Sequence, residues 1–143
     1  MILLDTNVIS EGLRPQPNMN VRAWLDSQPA DELFLCTPVL AELLYGAHLL
    51  PASVRRTKLE KSVSDLMIAF TDRILSFDVK AAAEYGKFVA RRDSLGRATG
   101  TMDGLIAGIA VANGAAIATR DVRGFDQSEV ELIDPFNIAP EPR

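Results

Sequence analysis

Asp5, Glu42, Asp103 and Asp121 are the residues of this chain best suited to chemistry, because hard oxygen donors from four separate segments suit a divalent cation. Carboxylates brought together repel one another, and each resists ionisation unless a countercharge arrives. The positive ends of helix dipoles moderate that repulsion by about 1 kcal/mol each at most, too little to neutralise four acids. Mg²⁺ or Mn²⁺ takes carboxylate oxygens, keeps several waters and leaves positions open for a phosphate. Such a centre activates water against a phosphoester.

Other reactive types are sparse. His48 is the only histidine and Cys36 the only cysteine, so neither a zinc site nor a disulfide framework is expected. Ser10 with His48 and an aspartate would need a nucleophile elbow, and no serine has that setting. The glycines lack the spacing of a phosphate loop. Thr6 and Asn7 either orient the Asp5 carboxylate or cap a helix beginning near Val8, and the residues alone leave both readings open. Thr119 stands two residues before Asp121, where its hydroxyl would reach a ligand carboxylate. Asp78 and Asp134 also lie near strand ends, but they follow the two expected edge strands and read as caps; Asp126 stays open.

The elements that must gather the four acids alternate along the chain. Ile2–Leu4, Leu33–Cys36, Ile74–Phe77, Ala116–Thr119 and Glu131–Ile133 read as five strands. Pro15 and Pro17 precede a short helix around Val21, Trp24 and Leu25. Thr37 is a natural N-cap with Pro38 in the first turn of the next helix, which Pro51 stops. Further helices are expected from about Ala52 to Phe70, from Val79 to Asp93 behind an Asp78 cap, and from Met102 to Ala112, closed by Asn113 and Gly114. Strand–helix alternation predicts one α/β domain over residues 1–139, a parallel sheet flanked by helices on both faces, with residues 140–143 as a frayed tail. In such a sheet the strand C-termini and helix N-termini share one rim, where ligands bind at a topological switch point. Asp5 and Asp121 follow strands there, and Glu42 and Asp103 lie near helix starts. If the strand order is 3-2-1-4-5, Asp5 and Asp121 face each other across the switch.

Composition agrees with one core-forming domain: 143 residues, 48% of them hydrophobic. No apolar run approaches the roughly 20 residues of a membrane span, the start does not read as a signal peptide, and a lone cysteine suits a reducing cytoplasm. A net charge of −4 excludes a generally basic nucleic-acid binder, so contacts to nucleic acid would need local patches. Arg55, Arg56, Lys58 and Lys61 make one such group; Arg91, Arg92 and Arg97 make another; Arg120 and Arg123 flank Asp121. The first group reads more simply as a solvated helix face.

Leu3-Leu4-Asp5-Thr6-Asn7 at the start, Glu42-Leu43 with Gly46 on a helix, Asp103 opening an apolar helix and Thr119-Arg120-Asp121 after a strand together resemble the PIN-domain proteins, more narrowly the toxins of the VapC/FitB type. The resemblance covers nearly the whole chain. It implies the five-stranded order 3-2-1-4-5, a Mg²⁺-dependent endoribonuclease with Mn²⁺ as a substitute, and a homodimer neutralised by a small antitoxin protein, with DNA met only through that antitoxin. By position it implies Asp5, Glu42, Asp103 and Asp121 as the catalytic quartet, with Asp5 and Asp103 as direct metal ligands. Thr6, Asn7 and Thr119 would support them, Phe125 would pack the following turn, and Arg97, Arg120 and Arg123 would contact RNA phosphates. The implied reaction is in-line attack of metal-activated water on an RNA phosphodiester.

Two other classes fit parts of the sequence. An aspartyl phosphatase would want a second acid two residues after Asp5, where Asn7 stands, and a receiver domain would want an acidic pair there. A binding subunit that joins an antitoxin on promoter DNA, with little nuclease activity of its own, is compatible with every motif above. For either toxin reading the antitoxin is expected on the helical hairpin carrying Leu43, Leu44, Leu49 and Leu50, although most of these leucines read more simply as ordinary core.

Overall fold

The computed structural model describes residues 1–139; the predicted tail from Pro140 to Arg143 lies outside the described residues. Five short strands, β1 (Ile2–Leu4), β2 (Leu33–Cys36), β3 (Ile74–Leu75), β4 (Ala116–Ala118) and β5 (Leu132–Ile133), form one parallel sheet in the order β3-β2-β1-β4-β5. β1 is the central strand, with Leu3 opposite Phe34 of β2 on one side and Ile117 of β4 on the other. Adjacent strand residues point to opposite faces, and both Leu3 and Leu4 are buried, so helices cover the sheet on both sides.

Around the sheet lie α1 (Thr6–Gly12), α2 (Met19–Ser27), α3 (Thr37–Leu49), α4 (Val54–Ala69), α5 (Val79–Ser94) and α6 (Thr101–Asn113). Several boundaries differ from the sequence expectation. α1 begins at Thr6, because the Asp5 side chain itself accepts the Thr6 N–H as N-cap. β2 runs directly into α3, so Cys36 occupies the cap position without a side-chain hydrogen bond and Thr37 is already helical. β3 stops at Leu75 instead of Phe77: an edge strand has a ladder on one side only, and Phe77 instead packs edge-on against Tyr85. Ser53 caps α4 and Asp78 caps α5 through the Ala81 N–H. Asp134 accepts from the Phe136 N–H, a turn role like the one expected for it. Gly114 ends α6 in the left-handed conformation, φ 64°, which glycine adopts without a Cβ clash. None of these helices is long and apolar enough to cross a membrane.

The angle at which α6 presents Asp103 depends on its fit to α5. A Cβ on Gly108 would stand 2.5 Å from the Ala81 carbonyl oxygen, a backbone atom that cannot swing away. Gly108→Ala is therefore expected to destabilise the fold by about 1–3 kcal/mol despite alanine's better helix propensity. Urea denaturation measures this, and an unchanged or raised midpoint would show that the helices part at no cost.

Candidate metal centre

β1 delivers Asp5 to the C-terminal rim of the sheet and α1 starts on it, so one carboxylate serves as both strand end and helix cap. It is only 5% exposed. Its Oδ1 accepts from the Thr6 N–H at 2.8 Å, and its Oδ2 accepts from Thr119 Oγ1 at 2.7 Å and from Asn7 Nδ2 at 3.1 Å. Burial raises its pKa, the hydrogen bonds from Thr119, Thr6 and Asn7 oppose that rise, and the Asp121 charge adds to it. Thr119 is fully buried just past β4. Its hydroxyl gives its proton to Asp5 and accepts the Asp121 N–H at 3.0 Å, tying two of the acids through one oxygen. Asn7 Oδ1 accepts the Arg120 N–H at 3.0 Å, a second bridge from the β1 end to the β4 end. Thr6 and Asn7 thus orient side chains at the rim, and the cap role belongs to Asp5.

The other three acids close around the same space. Glu42, a turn and a half into α3, accepts from Thr6 Oγ1 at 3.0 Å. Asp121 opens a short 3₁₀ turn, Val122–Phe125, and its Oδ1 accepts the Gly124 N–H at 3.1 Å. Asp103 lies in the first turn of α6, and its carboxyl is pushed up to about 6 by burial and by the charges of Asp5, Asp121 and Glu42, against which Arg92 acts. Gly124 measures how near two of them come: a Cβ there would be 2.5 Å from Asp121 Oδ2 and 3.0 Å from Asp103 Oδ2. Buried Cys36 feels Asp5 and Glu42 as well, and its thiol is pushed up to about 12, chiefly by burial, which leaves it an inert core group.

None of the four acids forms an ion pair with a basic side chain among the described residues. Asp126 stands in contrast, since it pairs with both Arg92 and Arg97. Among the described residues no three acid, histidine or cysteine side chains are drawn together tightly enough to form a ready-made ion cage. The charges of Asp5, Asp121 and Glu42 nonetheless all act on Asp103, so the four carboxylates share one neighbourhood. An all-oxygen donor set, one member raised to about 6 by burial and by its anionic neighbours, and a glycine whose Cβ would stand within about 3 Å of two of the carboxylates together fit Mg²⁺ or Mn²⁺.

The three predicted phosphate-contact arginines are placed differently. Arg120 is exposed, with its guanidinium 4.7 Å from the centre of the Phe136 ring. Arg123 is exposed on the turn after Asp121. Arg97 is engaged with Asp126. His48 lies 2.9 Å from Arg56 at the α3–α4 hairpin, and Phe125 is fully buried behind the Asp121 turn. Two residues that bear on the site were not singled out from the sequence. Gly124 gave no signal. Arg92 was grouped with a basic surface patch, yet it is 5% exposed, and its position four residues after buried Phe88 on one face of α5 was the available sign.

Comparison with known proteins agrees with this architecture. The PIN domain family matches residues 2–130. The chain is similar to the VapC ribonuclease Y4jK of Sinorhizobium fredii, 38% identical over 97% of this chain and 100% of that protein. It is also similar to the toxin FitB of Neisseria gonorrhoeae, 40% identical over 96% of this chain and 99% of FitB. A structure of FitAB bound to an IR36 DNA fragment superposes with a TM-score of 0.91 at 36% identity, covering 99% of this chain and 100% of that one. With its sheet order, its rim of acids and these relatives in agreement, the chain belongs to the PIN-domain family, among the VapC and FitB proteins.

Proposed function

We propose that this protein is a Mg²⁺-dependent endoribonuclease, able to use Mn²⁺, that acts in the cytoplasm as the toxin of a toxin–antitoxin pair. The observation that carries the reading is the set of four carboxylates at one rim without a basic partner among the described residues. The printed names of its relatives, a VapC ribonuclease and a toxin, support it. Asp5 and Asp103 would hold the ion directly. When bound, Mg²⁺ supplies positive charge against the phosphate oxygens and lowers the pKa of water. Glu42 and Asp121 would position the attacking water, Asp121 from the solvent side where it is exposed. Thr119, Thr6 and Asn7 hold the carboxylates in register through the hydrogen bonds given above. Arg120 and Arg123 are exposed and pair with no acid among the described residues, so they could meet the flanking RNA phosphates, whereas Arg97 would first have to leave Asp126.

A groove of about 750 Å³ between α1, α3 and α4 runs up to Thr6 and Glu42. Leu13, Leu43, Leu50 and Leu59 give it an apolar floor, and Arg14, Arg55 and Lys58 line it with positive charge. This is the place for an amphipathic acidic segment of a small antitoxin, which would reach the acids from one end. Of the four hairpin leucines considered from sequence, Leu43 and Leu50 line the groove, Leu44 packs against the core and Leu49 is exposed. A homodimer is part of the same proposal.

A second reading has its own support in the DNA-bound FitAB relative: a regulatory subunit that reaches promoter DNA through its antitoxin and cleaves little RNA. Incubating partner-free protein with several structured RNAs in Mg²⁺, Mn²⁺ or EDTA separates the two. Cleavage with either ion and none in EDTA is the expected result. Intact RNA under every condition would favour the regulatory subunit.

A further inference from the structure

We propose that Arg92 is a positioning residue that fixes the spacing between Asp103 and Asp121, and thereby the affinity of the site for its ion. The inference rests on reading the four acids as a metal centre. Arg92 comes from α5, which contributes none of the four acids, and it is buried while its neighbours Arg91 and Arg97 are more exposed. Its guanidinium reaches five acceptors. Nε donates to Thr99 Oγ1 at 2.7 Å and Nη2 to the Ala98 carbonyl at 3.0 Å, both in the loop that leads into α6 and Asp103. Nη1 donates to the carbonyls of Arg123 at 3.0 Å and Asp126 at 3.2 Å, and it pairs with the Asp126 carboxylate.

Those two carbonyls bracket Gly124, the residue wedged against the carboxylates of Asp121 and Asp103. One planar cation therefore joins the segment before α6 to the turn after β4, the two segments that carry the facing acids. The remainder of the turn is held from the same helix, since Arg91 Nη1 donates to the Gln127 carbonyl at 2.5 Å. Gln127 and Glu129 have φ of 67° and 65°, a left-handed backbone that non-glycine residues adopt only under such restraint. A lysine at position 92 would keep the charge but could not reach both segments, because an ammonium lacks the planar fork of donors. Such supporting contacts around a metal site are worth about 10-fold to 100-fold in affinity or rate.

The test uses the full chain with Arg92→Lys and, because the first variant removes a buried network, Asp126→Asn, which keeps both backbone carbonyl contacts. Mn²⁺ binding is measured by calorimetry, RNA cleavage is resolved into kcat and KM, and folding is followed by thermal melting. We expect Mn²⁺ affinity and kcat to fall by about tenfold or more in Arg92→Lys and by less in Asp126→Asn, with KM for RNA near the wild-type value. If wild-type protein binds Mn²⁺ but both variants bind it equally well, whatever their melting temperatures, the positioning role is overturned while the metal reading survives. If wild-type protein binds no Mn²⁺, both fall together. An Arg92→Lys chain that does not fold leaves Asp126→Asn to decide, and wild-type affinity there overturns the proposal.

Discussion

Asp5→Asn is expected to abolish Mg²⁺-dependent RNA cleavage, lowering kcat by about a hundredfold to a thousandfold or more, while the protein stays folded. The amide retains an oxygen for the Thr6 N–H, so the start of α1 keeps its cap. Its NH₂ group would face both Thr119 Oγ1, whose proton must then turn away from position 5, and Asn7 Nδ2, which loses its acceptor, at a cost of about 1 kcal/mol each. That loss is offset by removing a buried charge whose ionisation the site disfavours. The substitution thus takes away ligand charge at nearly constant shape. Circular dichroism and a cleavage assay on the same preparation make the comparison, and undiminished cleavage would remove Asp5 from the reaction.

Asp103→Asn should lose activity and gain stability. With a folded-state pKa of about 6 against an ordinary value of 3.8, the Asp103 carboxyl binds its proton more tightly in the folded than in the unfolded chain. Stability of the ion-free wild type therefore falls as pH rises from about 4 through about 6, and the penalty is fully present above that range. Asparagine carries no charge at any of these pH values. After allowance for solvent screening at a half-buried group, the variant should be more stable by about 1 kcal/mol at pH 8 in EDTA, and the gain should vanish by pH 4. Saturating Mg²⁺ should reverse the order at pH 8, because only the wild type gains binding free energy from the ion. Urea titrations at the two pH values check this, and a variant no more stable than wild type at pH 8 would mean that the acids do not strain the fold.

The parts of the structure legible in the sequence are those decided by local pattern. Apolar runs marked all five strands, and Pro38 at the start of α3 together with the Asn113–Gly114 end of α6 sufficed to put Glu42 and Asp103 near helix starts at that rim. Strand order came from family resemblance, since alternation alone does not say that β1 sits between β2 and β4. What escaped were side chains whose roles depend on distant partners. Asp126 could not be assigned because Arg92 and Arg97 reach it from 34 and 29 residues away. Asp5 was recognised as a site acid but not as the cap of α1, since a single carboxylate performs both tasks. An arginine reads as surface because arginine usually is surface, and only tertiary packing shows five backbone and side-chain acceptors around Arg92.

The central place of β1 in the sheet has a consequence for how this protein is born. β1 is synthesised before both of its sheet partners, and the second of them, β4, is not made until residues 116–118. Asp5 therefore waits through most of translation before Thr119 and Asp121 arrive to complete its surroundings. At synthesis rates of about 5–20 residues per second that interval lasts about 6–20 seconds. If the site is the nuclease proposed above, its surroundings are complete only once the segment after β4 has folded back against the end of β1.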